Sequence, residues 1–155
     1  MSQTSLSQET FERLQAELLD LTTRGRIEIA HAIEAARALG DLKENGDYHA
    51  AKDTQGKMEA RIRQIQALLK DAVIVESAHS PKVVEPGVVV HLKYEGEDDV
   101  YSFLVGSIEE KRDGVDVVSP TSPLGKALLD QTAGTTVEYE APGGKLRVEI
   151  VRLGD

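Results

Sequence analysis

The chain has 155 residues, enough for one ordinary domain or two small ones, and 40% of them are apolar. With no Trp, two Phe and four Tyr its core must be mainly aliphatic, and with no Cys it has no disulfide, thiolate metal site or thiol nucleophile. The net charge of −9 is uneven: residues 1–75 carry 12 acidic and 10 basic side chains, residues 76–155 carry 15 and 8. Such a surface repels a phosphate backbone, which argues against an autonomous nucleic-acid binder and leaves any nucleic acid to a partner protein. The polar start, Met1 to Glu9, lacks the apolar region of a signal peptide, and there is no apolar run of about 18 residues. A soluble, cytoplasmic protein without membrane association is expected.

Ser7 is a candidate cap for a first helix, with Ser5 and Thr10 as alternatives. Phe11, Leu14, Leu18 and Leu21 recur on one helical face, Gly25 falls on the same stripe, and Ile29, Ile33 and Ala36 resume it. Consecutive four-residue steps in this stretch break the heptad and predict a local unwinding or kink near Gly25. A second helical pattern runs from about Tyr48 to Val73. Its stripe of Ala51, Gln55, Met58, Ile62, Ile65, Leu69 and Ala72 is a coiled-coil seam, with Gln55 as a polar seat that sets register. Ala36 and Ala51 allow close approach near the turn. The two patterns make an antiparallel hairpin whose arms of about 25 to 30 residues reach on the order of 40 Å.

Beyond Val73 the period changes from helical to alternating. Ser77 to Pro81 read as linker, and strands are expected at Val88–Tyr94, Val100–Val105, Val115–Val118, Thr135–Glu140 and Leu146–Leu153. Ser122 and Pro123 open a short helix through Leu129, as cap and first residue. The expected fold is α+β. Residues 1–76 form a helical hairpin domain, 77–83 a linker and 84–155 a mostly antiparallel sheet with one short helix.

The turn between the long helices, Gly40-Asp41-Leu42-Lys43-Glu44-Asn45-Gly46-Asp47-Tyr48-His49-Ala50-Ala51-Lys52, carries three carboxylates. Taken alone these read first as a solvated turn, and only second as a device that carries acids to a distant place. The stretch resembles the tip motif of the bacterial Gre transcript-cleavage factors, most closely the GreA type. Gln55-Gly56 and Glu59-Ala60-Arg61-Ile62 extend the likeness, Ser122-Pro123-Leu124-Gly125-Lys126-Ala127-Leu128 resembles a second family motif, and Pro142-Gly143-Gly144 fits the C-terminal hairpin. The resemblance implies a coiled-coil N-terminal domain, an FKBP-like C-terminal domain and binding to bacterial RNA polymerase. The globular domain would sit at the mouth of the secondary channel, with the tip inserted to stimulate the polymerase's own cleavage of backtracked RNA. On this reading the chain is an accessory factor and not itself an enzyme.

Asp41 and Glu44 match the family's two tip acids. Two carboxylates three residues apart suit Mg²⁺, shared with the polymerase and RNA phosphates and held only in that complex. Asp47 is read as a supporting acid or as the cap of the returning helix. Tyr48 is read as an RNA or channel contact, or equally as packing across the tip, and His49 as an ordinary packed histidine. Lys52 with Arg63, and Lys57 with Arg61, stand in similar helical phase and suggest basic stripes for the RNA 3′ end. The alternative is solvated flanks paired with acids such as Glu59. Ser122, Pro123 and Leu124 are the expected polymerase-docking residues, and the chain is expected to be a monomer.

Two departures from the family pattern stand out. Gly46-Asp47 replaces an Ala-Glu or Pro-Glu segment, which implies a looser turn. Asp130-Gln131 stands where Gly-Lys is common, which implies a more acidic docking surface. Competing readings are a non-cleaving Gre-like inhibitor in the same channel, a coiled-coil adaptor with dispensable tip acids, and an FKBP-like prolyl isomerase. Tyr94, Tyr101, Phe103 and Tyr139 are too sparse for the aromatic pocket an isomerase needs.

Overall fold

Thr4–Leu6 is extended, and the first helix starts directly after it because Ser7 supplies a cap. The Ser7 hydroxyl accepts the Thr10 amide at 3.2 Å, which selects Ser7 over Ser5 and Thr10. The structure, a computed structural model, describes residues 3–41, 44–76 and 80–155; Leu42 and Lys43 of the tip and part of the expected linker lie outside the described residues. Following β1 (Thr4–Leu6), helix α1 (Gln8–Asp20) widens into a π turn over Leu21–Gly25 and continues as α2 (Arg26–Arg37). The π turn takes up the extra residue that the four-residue steps of the apolar stripe demand. Two threonines support it: the Thr22 hydroxyl donates to the Leu18 carbonyl at 2.8 Å and the Thr23 hydroxyl to Leu19 at 2.6 Å. At Gly25 the arms come so close that an added Cβ would sit 3.1 Å from Met58 Sδ.

The returning helix α3 (Gly46–Lys70) buries Ile62 and Ile65 and half-buries Ala51, Gln55, Met58 and Leu69, as the heptad predicts. At 1.5 Å per residue its 25 residues span roughly 37 Å. Two bidentate pairs cross between the arms. Arg26 donates to Glu59 at 3.0 and 3.1 Å, and Arg61 to Glu17 at 2.7 and 2.9 Å. The Arg61 hydrogen bond holds the Glu17 carboxyl below its ordinary range, against partial burial that pushes it up. Arg61 is thereby a brace of the hairpin, not part of a basic stripe.

The turn is organised by Asn45. Its side-chain oxygen accepts the Tyr48 amide at 3.0 Å and so caps α3, while its side-chain nitrogen donates to the Ala36 carbonyl near the end of α2. One side chain thus caps α3 and ties its start to a carbonyl near the end of α2. The helix therefore begins at Gly46 rather than Tyr48, and Asp47 sits inside its first turn rather than capping it.

Helix α3 stops at Lys70, and Ala72–Ile74, expected as the helix end, forms strand β2 paired in parallel with β1. Six residues carry little periodic signal, and the partner strand is far away in sequence, so this ribbon was invisible to pattern reading. The compact units are residues 11–71 on one side and the described parts of 1–10 and 72–155 on the other. The ribbon thus groups with the sheet, whereas the expected domain border lay at 76/77. Within this unit the Glu110 carboxylate accepts from the Ser7 amide at 2.8 Å and the Ser7 hydroxyl at 3.0 Å.

The main sheet has the order β5-β4-β3-β7-β6, with β3 Val89–Tyr94, β4 Val100–Val105, β5 Asp116–Val118, β6 Thr136–Ala141 and β7 Gly144–Leu153. All neighbours are antiparallel except β4 and β5, so the sheet is mixed. Its core holds Val90, Leu92, Val105, Val118, Val148 and Ile150, closed by Leu124 and Leu128 of helix α4 (Pro123–Leu128). Ser122 caps α4, accepting the Gly125 amide at 3.1 Å and donating to the Ser119 carbonyl at 2.7 Å. Gly125 lies directly on the Ser119–Pro120 backbone, where a Cβ would collide with the Ser119 carbonyl oxygen. After α4 the backbone turns left-handed at Asp130, φ 67°, and the Asp130 amide bonds the Val84 carbonyl while the Val84 amide bonds that of Gln131, both at 2.9 Å. A glycine suits this conformation better, so the Asp130 departure bears on backbone geometry as well as surface charge.

Two outcomes test this account. Asn45→Ala should accelerate hydrogen exchange of the Tyr48 amide about tenfold or more, matching a lost cap of roughly 1–2 kcal/mol. Gly46→Ala, where nothing lies within 4 Å of the new methyl, should not. Gly125→Ala should lower the stability of the sheet unit by about 2 kcal/mol in urea melts, because the backbone it meets cannot rotate away.

Candidate functional site at the hairpin tip

Helix α2 ends in a turn that Gly40 completes with φ 128°, a conformation open to glycine and strained for other residues. The Ala36 carbonyl accepts both the Leu39 amide, at 3.1 Å, and the Asn45 side chain, which draws the chain leaving α2 and the chain entering α3 to one point. Asp41, Glu44 and Asp47 are all exposed and line a single open depression of about 420 Å³ together with Leu39, Asn45 and Gly46. The three acids of the sequence motif are thus brought together. Asp47 lies in the first turn of α3, where the helix dipole favours a carboxylate. Leu39, 70% exposed, gives the depression an apolar wall.

Exposed carboxylates concentrated in one concavity attract cations, and hard divalent cations in particular. Among the described residues no group of three or more His, Asp or Glu side chains is disposed to hold a metal by itself.

The flanking residues divide. Tyr48 is half-buried and meets His49 edge to face, with ring centroids 5.7 Å apart. His49 itself is exposed rather than packed as expected. Lys52 donates to Gln55 at 2.9 Å, and Lys57 pairs with Asp53 at 3.1 Å, both on the open surface. Pairs of this kind are worth little, so these cationic ends are readily redirected. On α4, Pro123 is exposed and Ser122 is half-buried with its hydroxyl committed to the cap. Leu124, expected as a docking contact, is 9% exposed and packs into the sheet core. A leucine one position after a helix-opening proline looks outward in a linear pattern; only the seat of α4 on the sheet turns it inward.

Asn45 is the tip residue that pattern reading passed over. Its signal was present, an Asn immediately before the returning helix, but Asp47 competed for the same role.

Residues 4–74 match the family model described as transcription elongation factor, N-terminal, and residues 79–154 the one described as transcription elongation factor, GreA/GreB, C-term. A transcription elongation factor GreA from Saccharopolyspora erythraea is 46% identical over 151 residues, covering 96% of this chain and 93% of that protein. A second, from Rhodococcus erythropolis, is 48% identical over 144 residues and covers 91% and 87%. A crystal structure of Thermus aquaticus Gfh1 aligns over 100% of both chains at 26% identity and a TM-score of 0.46. Two family models in tandem and relatives near half identity over almost the whole length lead to one conclusion: the chain belongs to the GreA/GreB family of transcription elongation factors.

Proposed function

We propose that the chain binds bacterial RNA polymerase in the cytoplasm, inserts the hairpin tip into the secondary channel and stimulates the polymerase's intrinsic cleavage of backtracked nascent RNA. The observation that carries this reading is the convergence of Asp41, Glu44 and Asp47 on one exposed depression at the end of a slim two-helix arm. A protein with a net charge of −9 does not seek RNA by itself, so the polymerase presents the RNA and this chain supplies acids.

The donor set fits Mg²⁺: two hard carboxylates, open to solvent, leaving most positions to water and other ligands. Asp41 and Glu44 are the residues that would hold the ion, with the remaining ligands coming from the polymerase and the RNA phosphates. When bound, such an ion lowers the pKa of a coordinated water and offsets charge on the leaving oxygen. The chain's own residues orient and exclude. Asn45 fixes the turn that carries Asp41 and Glu44, Asp47 adds to the negative field, and Tyr48 is assigned to contact with RNA or the channel wall. Lys52 and Lys57 exchange their weak surface partners for phosphates of the extruded 3′ end. Docking is assigned to the α4 cap, with Pro123 as the exposed contact and Ser122 holding the backbone beneath it.

Asp41→Asn and Glu44→Gln are nearly isosteric and should each reduce stimulated cleavage in a purified, backtracked polymerase complex by at least about 100-fold, the scale of a lost electrostatic contact at a reacting centre. Binding measured by competition with unlabelled wild-type chain should change less than about threefold. Parallel loss of binding and cleavage would refute this division of labour. Pro123→Glu leaves α4 intact, since an acid at the first helical position is favourable. It should raise the concentration for half-maximal cleavage while the maximal rate stays within about twofold, because the change removes docking energy and not a tip contact.

A further inference from the structure

The core face of the main sheet extends beyond the short helix that covers it. Tyr94 stands opposite Val148 and Tyr101 opposite Leu92, and both partners are fully buried, so the two tyrosines share the core face. Tyr139 lies two residues past Val137, which faces Val148, and opposite Leu146, which puts these on the same side. The rings of Tyr94 and Tyr101 meet edge to face, centroids 5.8 Å apart, and the Tyr94 and Tyr139 hydroxyls are 3.2 Å apart. The aromatic residues that looked too sparse in the sequence are gathered by strand register into one patch. Tyr94 and Tyr101 floor an open groove of about 720 Å³ with Leu146, flanked by Glu95, Glu97, Glu138, Lys145 and Arg147. None of these lining residues belongs to α4 or its cap, and Tyr101 and Leu146 are each 41% exposed.

The charge around the groove is unbalanced. Taken with the adjoining depression, Glu95, Glu97, Asp98, Glu138 and Glu149 face Lys93, Lys145 and Arg147. Arg147 is drawn to Glu95 at 3.8 Å and Lys145 to Glu138 at 3.7 Å, so the surplus negative charge collects toward Glu97 and Asp98 beside the exposed Tyr101 ring. The Tyr101 hydroxyl feels it: its ionisation is pushed up first by Glu97, then by burial and by Asp99. Tyrosine faces beside excess carboxylate suit a guanidinium or ammonium group. A nucleic-acid strand would find the same stacking faces but would meet the carboxylates, and residues 76–155 as a whole carry 15 acids against 8 bases.

We propose that this groove docks an extended, arginine-bearing peptide segment of a partner protein, with a cationic side chain over Tyr101 and against Glu97 and an aliphatic neighbour on Leu146. The proposal does not depend on the tip's role. Its test uses the full chain and three fluorescein-labelled probes followed by anisotropy: Gly-Leu-Arg-Leu-Arg-Gly, its counterpart with Glu in place of Arg, and the neutral Gly-Leu-Pro-Leu-Gly. The arginine peptide should bind saturably, and Glu97→Lys and Tyr101→Thr should each weaken it at least about fivefold. Asp53→Lys, the same charge change on the exposed face of α3, should leave it unchanged. Equal binding of the acidic or the proline peptide, or equal weakening by Asp53→Lys, would overturn the proposal. So would self-association that buries the groove, seen as a concentration-dependent sedimentation coefficient abolished by Tyr101→Thr. A thermal melt of each variant excludes misfolding, and Glu97→Lys, on an exposed turn, keeps the test valid should Tyr101→Thr unfold.

Discussion

Asn45 joins the two arms of the hairpin at the place where helical structure has to stop and start again. Each helix end leaves backbone groups without partners, and a turn this short has few residues with which to satisfy them. The Asn45 amide is bifunctional: its oxygen takes the Tyr48 N–H of one helix and its nitrogen serves the Ala36 carbonyl of the other. A carboxylate at this position would cap α3 but could not donate to Ala36. The positions of Asp41, Glu44 and Asp47 follow, because the acids on either side of Asn45 hang from the geometry that it sets.

Below the tip the hairpin keeps its register by several weak devices acting together. The aliphatic seam buries Ile62 and Ile65 against an arm whose own stripe departs from the heptad. The π turn at Leu21–Gly25 absorbs that mismatch, and the Thr22 and Thr23 hydroxyls engage carbonyls of the preceding turn. The Arg26–Glu59 and Arg61–Glu17 pairs add direction more than energy, since partly exposed pairs contribute little to stability. An arm built this way is held in register mainly by its seam.

The sheet unit makes a different compromise. Its only α-helix among the described residues is six residues long, seated so closely that position 125 must be glycine, and it commits Leu124 and Leu128 to the core. So short a cover cannot reach the far end of the sheet. The core face there is left with tyrosines, whose hydroxyls tolerate water. The exposed Pro123 at the start of α4 and the tyrosine groove both accompany one undersized helix.

The sequence alone determined the hairpin, the seam, the break near Gly25, the five strands and the capped short helix, because each rests on local periodicity and on caps within four residues. It also placed the acids at the tip and, through its motifs, pointed to the family that the comparisons show. Tertiary structure decided what depends on distant partners. Parallel pairing of Thr4–Leu6 with Ala72–Ile74, the inward turn of Leu124, the commitment of Arg61 to Glu17 and the gathering of Tyr94, Tyr101 and Tyr139 all join residues well separated along the chain. Periodicity reports which face of an element a residue occupies; what that face meets is set only when the elements pack.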